Sequence, residues 1–298
     1  MQSGKLDSGM LYIIVIMLAI TTFSFYLVGG KFPKMFDPAG PPSNPGKQKI
    51  IFPSESAKKN LQLQTFTVKN SCESKIAVDF LIDISGSMGF DGGIKQTNEK
   101  SALRAFTARM VDASVIGMQT FSKSTQEVVP ISYYKDVRSQ VDSTINSLPA
   151  DGWTSTRSGF ELVKQKLSAV LTQDKYPGYK YFLILITDGV PESEPLFTDA
   201  DHCEVVVQDV ERNTPRCFAK IQDPRIPSNL AADIKNSGVE IYSLALTSPH
   251  SSDRDLQPYL TKLLQDVAST PLSTHFYSSD NGTDLKTQLD SVFKDICN

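Results

Sequence analysis

This sequence is poor in histidine, lacks closely spaced cysteine pairs and carries almost no surplus charge. The three histidines, His202, His250 and His275, are scattered, and none neighbours an obvious nucleophile, so a hydrolytic triad has no support. No Cys-x-x-Cys pair of the kind that holds zinc is present. The 30 basic and 33 acidic side chains give a net charge of −3, which provides no electrostatic basis for binding nucleic acid or an anionic membrane surface. We therefore expect no nucleic-acid partner.

The bulk composition is that of a globular protein. With 298 residues, of which 40% are apolar and 21% charged, the chain can bury a full core and is neither collagen-like nor disordered by composition. No internal repeat is evident in the sequence. These features predict one main domain with appendages.

An uncharged apolar run follows a short N-terminal tail, residues 1–9. The run, residues 10–30, is rich in Ile, Leu, Met and Phe and has the length needed to cross roughly 30 Å of hydrocarbon. A cleaved secretory signal is the alternative, but the run is longer than the usual signal core and lacks an Ala-x-Ala-like end. We favour a single uncleaved transmembrane anchor.

Charge does not settle the orientation of this anchor, because Lys5 lies on one flank of the run and Lys31 and Lys34 lie on the other. All four cysteines follow the run, and an even number without metal-ligand spacing favours an oxidising exterior. We therefore expect a single-pass protein of the cell membrane whose main domain is extracytoplasmic. The cysteines are Cys72, Cys203, Cys217 and Cys297.

Residues 31–70 are expected to form a stalk and a lead-in strand. Their first part is rich in Pro, with several Gly, Ser and Lys residues, a composition that resists both helix and sheet. The alternating apolar stretch from Leu61 to Val68 then predicts an edge strand or the lead-in to the main domain. The main domain would occupy residues 71–298.

From Ile76 onward, apolar runs of strand length alternate with segments of helical period. This pattern predicts an α/β fold, a Rossmann-like, doubly wound and mostly parallel sheet with helices on both faces, in the order β-α-β throughout. The predicted strands are Ile76–Ile82, Val115–Phe121, Val128–Ile131, Tyr181–Thr187, Val239–Leu246 and His275–Tyr277. The predicted helices are Glu99–Val111, Val137–Leu148, Arg157–Leu171, Leu230–Asn236, Leu256–Val267 and Leu285–Ile296.

Three loops with oxygen-bearing side chains are expected beyond the carboxyl ends of the strands, where open sheets of this kind bind ligands. They carry Asp83, Ser85 and Ser87 after the first strand, Thr154 before a helix, and Asp188 at the end of a later strand. Taken alone, these segments are also typical of turns and helix caps. Together and in order they predict a site for a hard cation such as Mg²⁺, with Mn²⁺ or Ca²⁺ as alternatives.

The order Asp-x-Ser-x-Ser, Gly-x-Thr and Thr-Asp-Gly resembles the metal-ion-dependent adhesion site of von Willebrand factor A domains and integrin inserted domains. The resemblance covers residues 71–298. It implies that Ser85, Ser87 and Thr154 bind the ion directly, either always or in one conformational state of the domain. Asp83 and Asp188 often act through water. It further implies that a protein partner donates a carboxylate to complete the shell of the ion.

Cys72 lies just before the first strand and Cys297 is next to last, positions that meet when a sheet begins centrally and a final helix packs back beside it. Because extracellular members of the family commonly tie their ends together, we predict a Cys72–Cys297 disulfide. The remaining pair, Cys203 and Cys217, would close a loop of about fifteen residues, which the chain-entropy model values at roughly 3 kcal/mol. Free buried cysteines are the alternative.

A long polar insertion, residues 190–228, follows the third loop directly, and a long ordered loop at a binding edge is usually functional. The acidic residues of the insertion either contact a ligand or a second cation, or they are solvated surface residues, and we favour the second interpretation. Both interpretations also apply to Asp91, which follows the first loop. Trp153 is either an exposed anchor for the partner or loop packing. The acids of the insertion are Asp199, Asp201, Glu204 and Asp209.

The segment Thr274–Asn281, followed by Leu285 and Phe293, is similar to bacterial surface proteins of the tight-adherence pilus group, which also carry one N-terminal anchor. The first hypothesis is a binding module displayed on a stalk for adhesion or for assembling surface structures. The alternative is a cell-envelope scaffold or chaperone that recruits an ATPase or pilus assembly machinery. A metalloenzyme is a distant third, because no general base is evident, and we expect no catalysis.

Overall fold

The computed structural model describes residues 72, 75–191, 227–247 and 257–297, together with the backbone of 203–209 and 214–219. The predicted tail, anchor, stalk and lead-in strand lie outside the described residues. Within the described part of the chain, no helix combines the length and the apolar character that a membrane span requires.

Eight strands are described, and six of them form one sheet. They are β1 (Ile76–Asp83), β2 (Val115–Phe121), β3 (Thr125–Tyr133), β4 (Lys180–Thr187), β5 (Cys203–Asp209), β6 (Thr214–Ala219), β7 (Val239–Thr247) and β8 (Phe276–Asp280). The order in the sheet is β3-β2-β1-β4-β7-β8, and every neighbouring pair except β2 and β3 is parallel. The predicted mostly parallel sheet is confirmed.

Seven α-helices are described, and six of them cover the sheet. They are α1 (Phe90–Thr107), α2 (Tyr134–Ser147), α3 (Thr156–Thr172), α4 (Ser228–Asn236), α5 (Gln257–Val267), α6 (Leu272–His275) and α7 (Leu285–Ile296). Helices α1, α2 and α7 pack their apolar side chains on one face of the sheet, and α3, α4 and α5 pack on the other. The doubly wound α/β architecture predicted from the sequence is therefore confirmed.

Two-sided cover explains the composition of the central strands. All eight residues of β1 are buried, as are the last seven of β4, so both strands carry near-continuous apolar runs. In a parallel pair at the centre of such a sheet, polar side chains are tolerated mainly at the strand ends. The ends of β1 and β4 are where the candidate site lies.

Strands β2 and β3 form an antiparallel hairpin, so the expected β-α-β order throughout is wrong at this point. Only residues 122–124 separate the two strands, whereas a parallel connection needs a dozen or more residues. Strand β3 lies at the edge of the sheet, and its only buried residues are Val129 and Ile131. This explains why the apolar pattern predicted a shorter strand, Val128–Ile131.

Helix α1 begins before the predicted start at Glu99. Its first turn contains a kink at Asp91, Gly92 and Gly93, whose φ angles of 55°, 70° and 75° lie in the left-handed region. Glycine adopts such angles at little cost, so the two glycines permit the chain to turn from the first loop into the helix. Because consecutive glycines are typical of loops, this helix start is not evident from the sequence.

Strands β5 and β6 form a separate antiparallel hairpin within the predicted insertion, residues 190–228. In its register Cys217 lies opposite Val206, and Cys203 lies opposite Ala219. The side chains of these strands are outside the described residues. The predicted Cys203–Cys217 bond and the roles of the acids in the insertion therefore stay predictions.

A disulfide joins Cys72 to Cys297, with 5.1 Å between their Cα atoms, and the predicted bond is confirmed. It ties Cys72, four residues before β1, to the residue that follows α7, and closes a loop with a sequence separation of 225. A cross-link of this kind stabilises chiefly by restricting the unfolded chain.

Asp79 is a buried carboxyl in the middle of β1, on the face covered by α3, α4 and α5. Its neighbour on β2 is Gly117, where an added Cβ would lie 2.5 Å from Oδ1 of Asp79. Burial, the largest cause, and the charge of Glu127 raise the pKa of Asp79 from 3.8 to about 8, against the Gln119 side chain, which lowers it. The glycine thus leaves room for a carboxyl that is protonated at neutral pH.

Replacing Cys72 and Cys297 together with Ser should lower the free energy of unfolding by about 2–5 kcal/mol, because the unfolded chain regains conformational freedom. Urea unfolding of the oxidised wild type and the double variant measures the difference. In the wild type, alkylation without reduction should leave both cysteines unmodified in peptide mass spectra. Full alkylation of either one would contradict the bond.

The buried carboxyl of Asp79 should also make stability depend on pH. Because its folded pKa of about 8 lies above the ordinary 3.8, the folded chain holds a proton that the unfolded chain releases between these values. The contribution of this proton to the free energy of unfolding is therefore fully present below pH 3.8. It falls with rising pH, by up to about 1.4 kcal/mol per pH unit, until pH 8. Asp79→Asn should remove this slope in urea unfolding at several pH values. A stability difference that does not change with pH would contradict the assignment.

Candidate metal centre

The candidate site lies at the carboxyl ends of the neighbouring strands β1 and β4. The first loop, residues 83–88, leaves β1, and the third loop, residues 187–189, leaves β4. Because these strands are parallel and adjacent, both loops emerge at the same edge of the sheet. The second loop, residues 151–155, leads into α3 at that edge.

Backbone hydrogen bonds hold the first and second loops together. The Gly86 amide donates to the Gly152 carbonyl at 3.0 Å, and the Asp151 amide donates to the Ile84 carbonyl at 2.8 Å. Gly152 has a φ of 88°, an angle that favours glycine. Main-chain hydrogen bonds therefore help to fix the position of the second loop.

The structure brings the five predicted ligand residues, Asp83, Ser85, Ser87, Thr154 and Asp188, to this edge, and all five are buried. The hydroxyl oxygens of Ser85 and Ser87 are 3.1 Å apart. The Ser87 hydroxyl donates to Oδ1 of Asp188 at 2.7 Å, which links the first loop to the third. Oxygen atoms from both loops thus lie within hydrogen-bonding distance of one another.

Asp83 is held in place from both sides. Its Oδ1 accepts the Ser85 amide at 2.8 Å, and its Oδ2 accepts the Thr187 hydroxyl at 2.5 Å. The sequence had not singled out Thr187 as a functional residue. Its hydroxyl fixes the Asp83 carboxylate and also accepts the Gly189 amide at 3.3 Å.

Thr154 lies against the third loop. A Cβ added at Gly189 would be 2.8 Å from the Thr154 hydroxyl oxygen, so only glycine permits this approach of the second loop to the third. The Thr154 carbonyl accepts the Thr156 amide at 2.9 Å, which fixes the start of α3. The Thr-Asp-Gly segment therefore contributes its carboxylate and also the space that the threonine needs.

Negative charge accumulates at the site. Burial, the largest cause, and the neighbouring Asp188 carboxylate together raise the pKa of Asp83 to about 7, against hydrogen bonds from Thr187 and Ser85 that lower it. Two carboxylates in one buried site repel each other, and a nearby cation relieves this repulsion.

Lys95, on α1, is a site residue that sequence analysis missed. Its side chain is 0% exposed, and its Nζ donates to Oδ2 of Asp188 at 2.5 Å and to the Ser87 carbonyl at 3.4 Å. A lysine is expected at the surface, and this one lay before the predicted start of the helix. The signal that could have found it is its spacing from the inward-facing Ala102 and Phe106.

Glu99 was missed as well. It lies four residues after Lys95 on α1, is 0% exposed, and neither of its carboxylate oxygens has a hydrogen-bond partner. Burial raises its pKa well above the ordinary value, and the charges of Asp83 and Asp188 raise it further. When all are ionised, these three carboxylates and one ammonium leave a formal charge of −2 at the site.

The residues present fit a hard divalent cation. Hydroxyl and carboxylate oxygens are the donors that Mg²⁺ and Mn²⁺ accept, and one divalent ion neutralises the formal charge. In the described residues, no group of three or more His, Cys, Asp or Glu side chains could hold an ion. The candidate centre instead combines carboxylates with the hydroxyls of the loops. Nearby, Asp91 is exposed and Trp153 is half-buried, which leaves both interpretations of Trp153 open.

No curated protein matches the chain by sequence. Similar solved structures include proximal thread matrix protein 1 from the mussel byssus, with a TM-score of 0.53, 15% identity, and coverage of 76% of this chain and 49% of that chain. Another structure of the byssus protein has zinc in its metal-ion-dependent adhesion site (MIDAS) motif. The chain thus spans about half the length of that relative.

Two further similar structures come from pili. For the vWF domain of the type V pili tip protein Mfa5 from Porphyromonas gingivalis, the TM-score is 0.53 at 14% identity, covering 75% of this chain and 95% of that chain. For the pilus adhesin SpaC from Lactobacillus rhamnosus GG, the TM-score is 0.51 at 18% identity, covering 76% and 30%. At these identities the likeness shows the fold alone.

A sequence profile of the von Willebrand factor type A domain matches residues 78–291, which include most of β1, all of β4 and all three loops of the candidate site. The match covers most of the chain. This chain therefore belongs to the von Willebrand factor type A domain family.

Proposed function

We propose that this chain is a membrane-anchored, extracytoplasmic binding module that uses one divalent cation, Mg²⁺ in the first instance, to capture a protein ligand for adhesion or surface assembly. The observation that carries the proposal is the meeting of buried hydroxyl and carboxylate oxygens from three loops at one edge of the sheet. No catalytic step is proposed.

The hydroxyls of Ser85, Ser87 and Thr154 would bind the ion directly, and Asp83 and Asp188 would act through water. An ion held mainly by neutral hydroxyls keeps enough positive charge to accept a carboxylate from a partner. The protein supplies a fixed cradle, because backbone bonds between the loops and the Thr187 hydroxyl hold the donors in place before any ligand arrives.

The Cys72–Cys297 bond supports an extracytoplasmic location, since disulfides persist in oxidising compartments and are rare in the cytosol. The proposed anchor, residues 10–30, and the stalk, residues 31–70, would then hold the domain away from the membrane. Relatives by fold that are a pilus tip protein and a pilus adhesin support a role in adhesion or surface assembly.

The test uses the full chain in detergent as bait in a cell-envelope extract of the source organism. With Mg²⁺ present, the wild type should capture its partner. Either EDTA or Asp83→Ala should abolish capture, because EDTA removes the ion and the substitution removes a carboxylate that helps to hold it. Asp83→Ala should also weaken Mn²⁺ binding by about 10–100-fold in calorimetric titration.

The matched control is Asp142→Ala, which removes an exposed acid from α2 and should change neither capture nor Mn²⁺ affinity. Circular dichroism should show that both variants keep the wild-type fold. Capture that survives both EDTA and Asp83→Ala would overturn the proposed function.

A further inference from the structure

Lys95 places a positive charge on a proposed metal ligand. Its Nζ is 2.5 Å from Oδ2 of Asp188, and its second contact, at 3.4 Å, is the carbonyl of Ser87. Both partners belong to the candidate metal centre. The ammonium therefore compensates, from within the protein, the same negative charge that a divalent cation would compensate.

A bound cation and this ammonium compete for Asp188. Two positive charges beside one buried carboxylate repel each other strongly, because little water is present to screen them. Lys95 is 0% exposed, so its ammonium does not reach bulk water without a change in the packing of α1. An ion can occupy the centre at low cost only if Lys95 has another buried acceptor.

Glu99 has the properties of that acceptor. It lies one helical turn after Lys95, and side chains four residues apart on a helix are neighbours on the same face. Side chains on a helix lean toward its N-terminus, which directs Glu99 toward the turn that carries Lys95. Both Glu99 oxygens are buried without a hydrogen-bond partner, an arrangement that a native core rarely leaves uncompensated.

We infer that Lys95 is a tethered cation that pairs with Asp188 when no divalent ion is bound and transfers to Glu99 when an ion occupies the centre. The inference rests on the proposed metal site and adds two residues that set the affinity of that site for its ion. Without the ion Lys95 compensates Asp188 and Glu99 has no partner. With the ion bound, the ion compensates Asp188 and Lys95 compensates Glu99. The flexible four-carbon stem of lysine permits the exchange without movement of the helix backbone.

The exchange predicts opposite effects for its two residues on metal affinity. Lys95→Met removes the competing charge at similar length and should tighten Mn²⁺ binding about tenfold or more, a typical size for such coupling. Glu99→Gln removes the second acceptor and should weaken binding by a similar factor. With Met at position 95, Glu99→Gln should have almost no further effect, because no ammonium remains to be accepted.

Calorimetric titration of the full chain in detergent with Mn²⁺ measures these affinities, and thermal unfolding without metal shows whether each variant folds. The matched control is Arg104→Met, which removes an exposed positive charge from the same helix and should leave the affinity unchanged. Equal Mn²⁺ affinity for wild type and Lys95→Met overturns the exchange alone. A lack of Mn²⁺ binding by both proteins overturns the proposed metal site and the exchange with it.

Unaltered protein gives a second test that does not depend on any variant folding. In a crystal structure of the Mg²⁺ complex, Nζ of Lys95 should lie within hydrogen-bonding distance of a Glu99 oxygen and away from Asp188. A Lys95 that still contacts Asp188 beside the bound ion, or a Glu99 that itself coordinates the ion, would overturn the inference.

Discussion

Compensation of buried negative charge is the constraint on which the candidate site depends. Asp83, Asp188 and Glu99 lie out of contact with water, where a carboxylate is costly unless hydrogen bonds or a cation compensate it. Lys95 provides one positive charge, and hydroxyl and amide donors stabilise Asp83. The negative charge that remains favours a bound cation, and the neutral hydroxyls of the loops can serve as additional donors to it.

The fold brings the groups that can bind a cation together chiefly through the positions of its loops. Parallel β1 and β4 place two carboxylates at adjacent strand ends, and both carboxylates are buried. The main chain then joins the second loop to the first through Gly86 and Gly152, and Gly189 leaves room for Thr154. The backbone thus helps to position the loops, and the side chains of the loops provide the oxygen atoms that would bind the ion.

Sequence patterns predicted the elements whose signal is local. Continuous apolar runs identified β1 and β4, and residue types at their ends indicated the oxygen-bearing loops. The half-exposed edge strand β3 gave a weaker pattern, and its short turn was not recognised. Lys95 and Glu99 could not be assigned, because their burial depends on a helix start set by two left-handed glycines and on Asp188, which is 93 residues away from Lys95.

The most direct measurement of the central claim is anomalous diffraction at the manganese absorption edge from crystals of the full chain grown with Mn²⁺. One peak should appear among the hydroxyl oxygens of Ser85, Ser87 and Thr154, on the side of Asp83 and Asp188. A peak located elsewhere in the chain, or no peak at saturating Mn²⁺, would contradict the account.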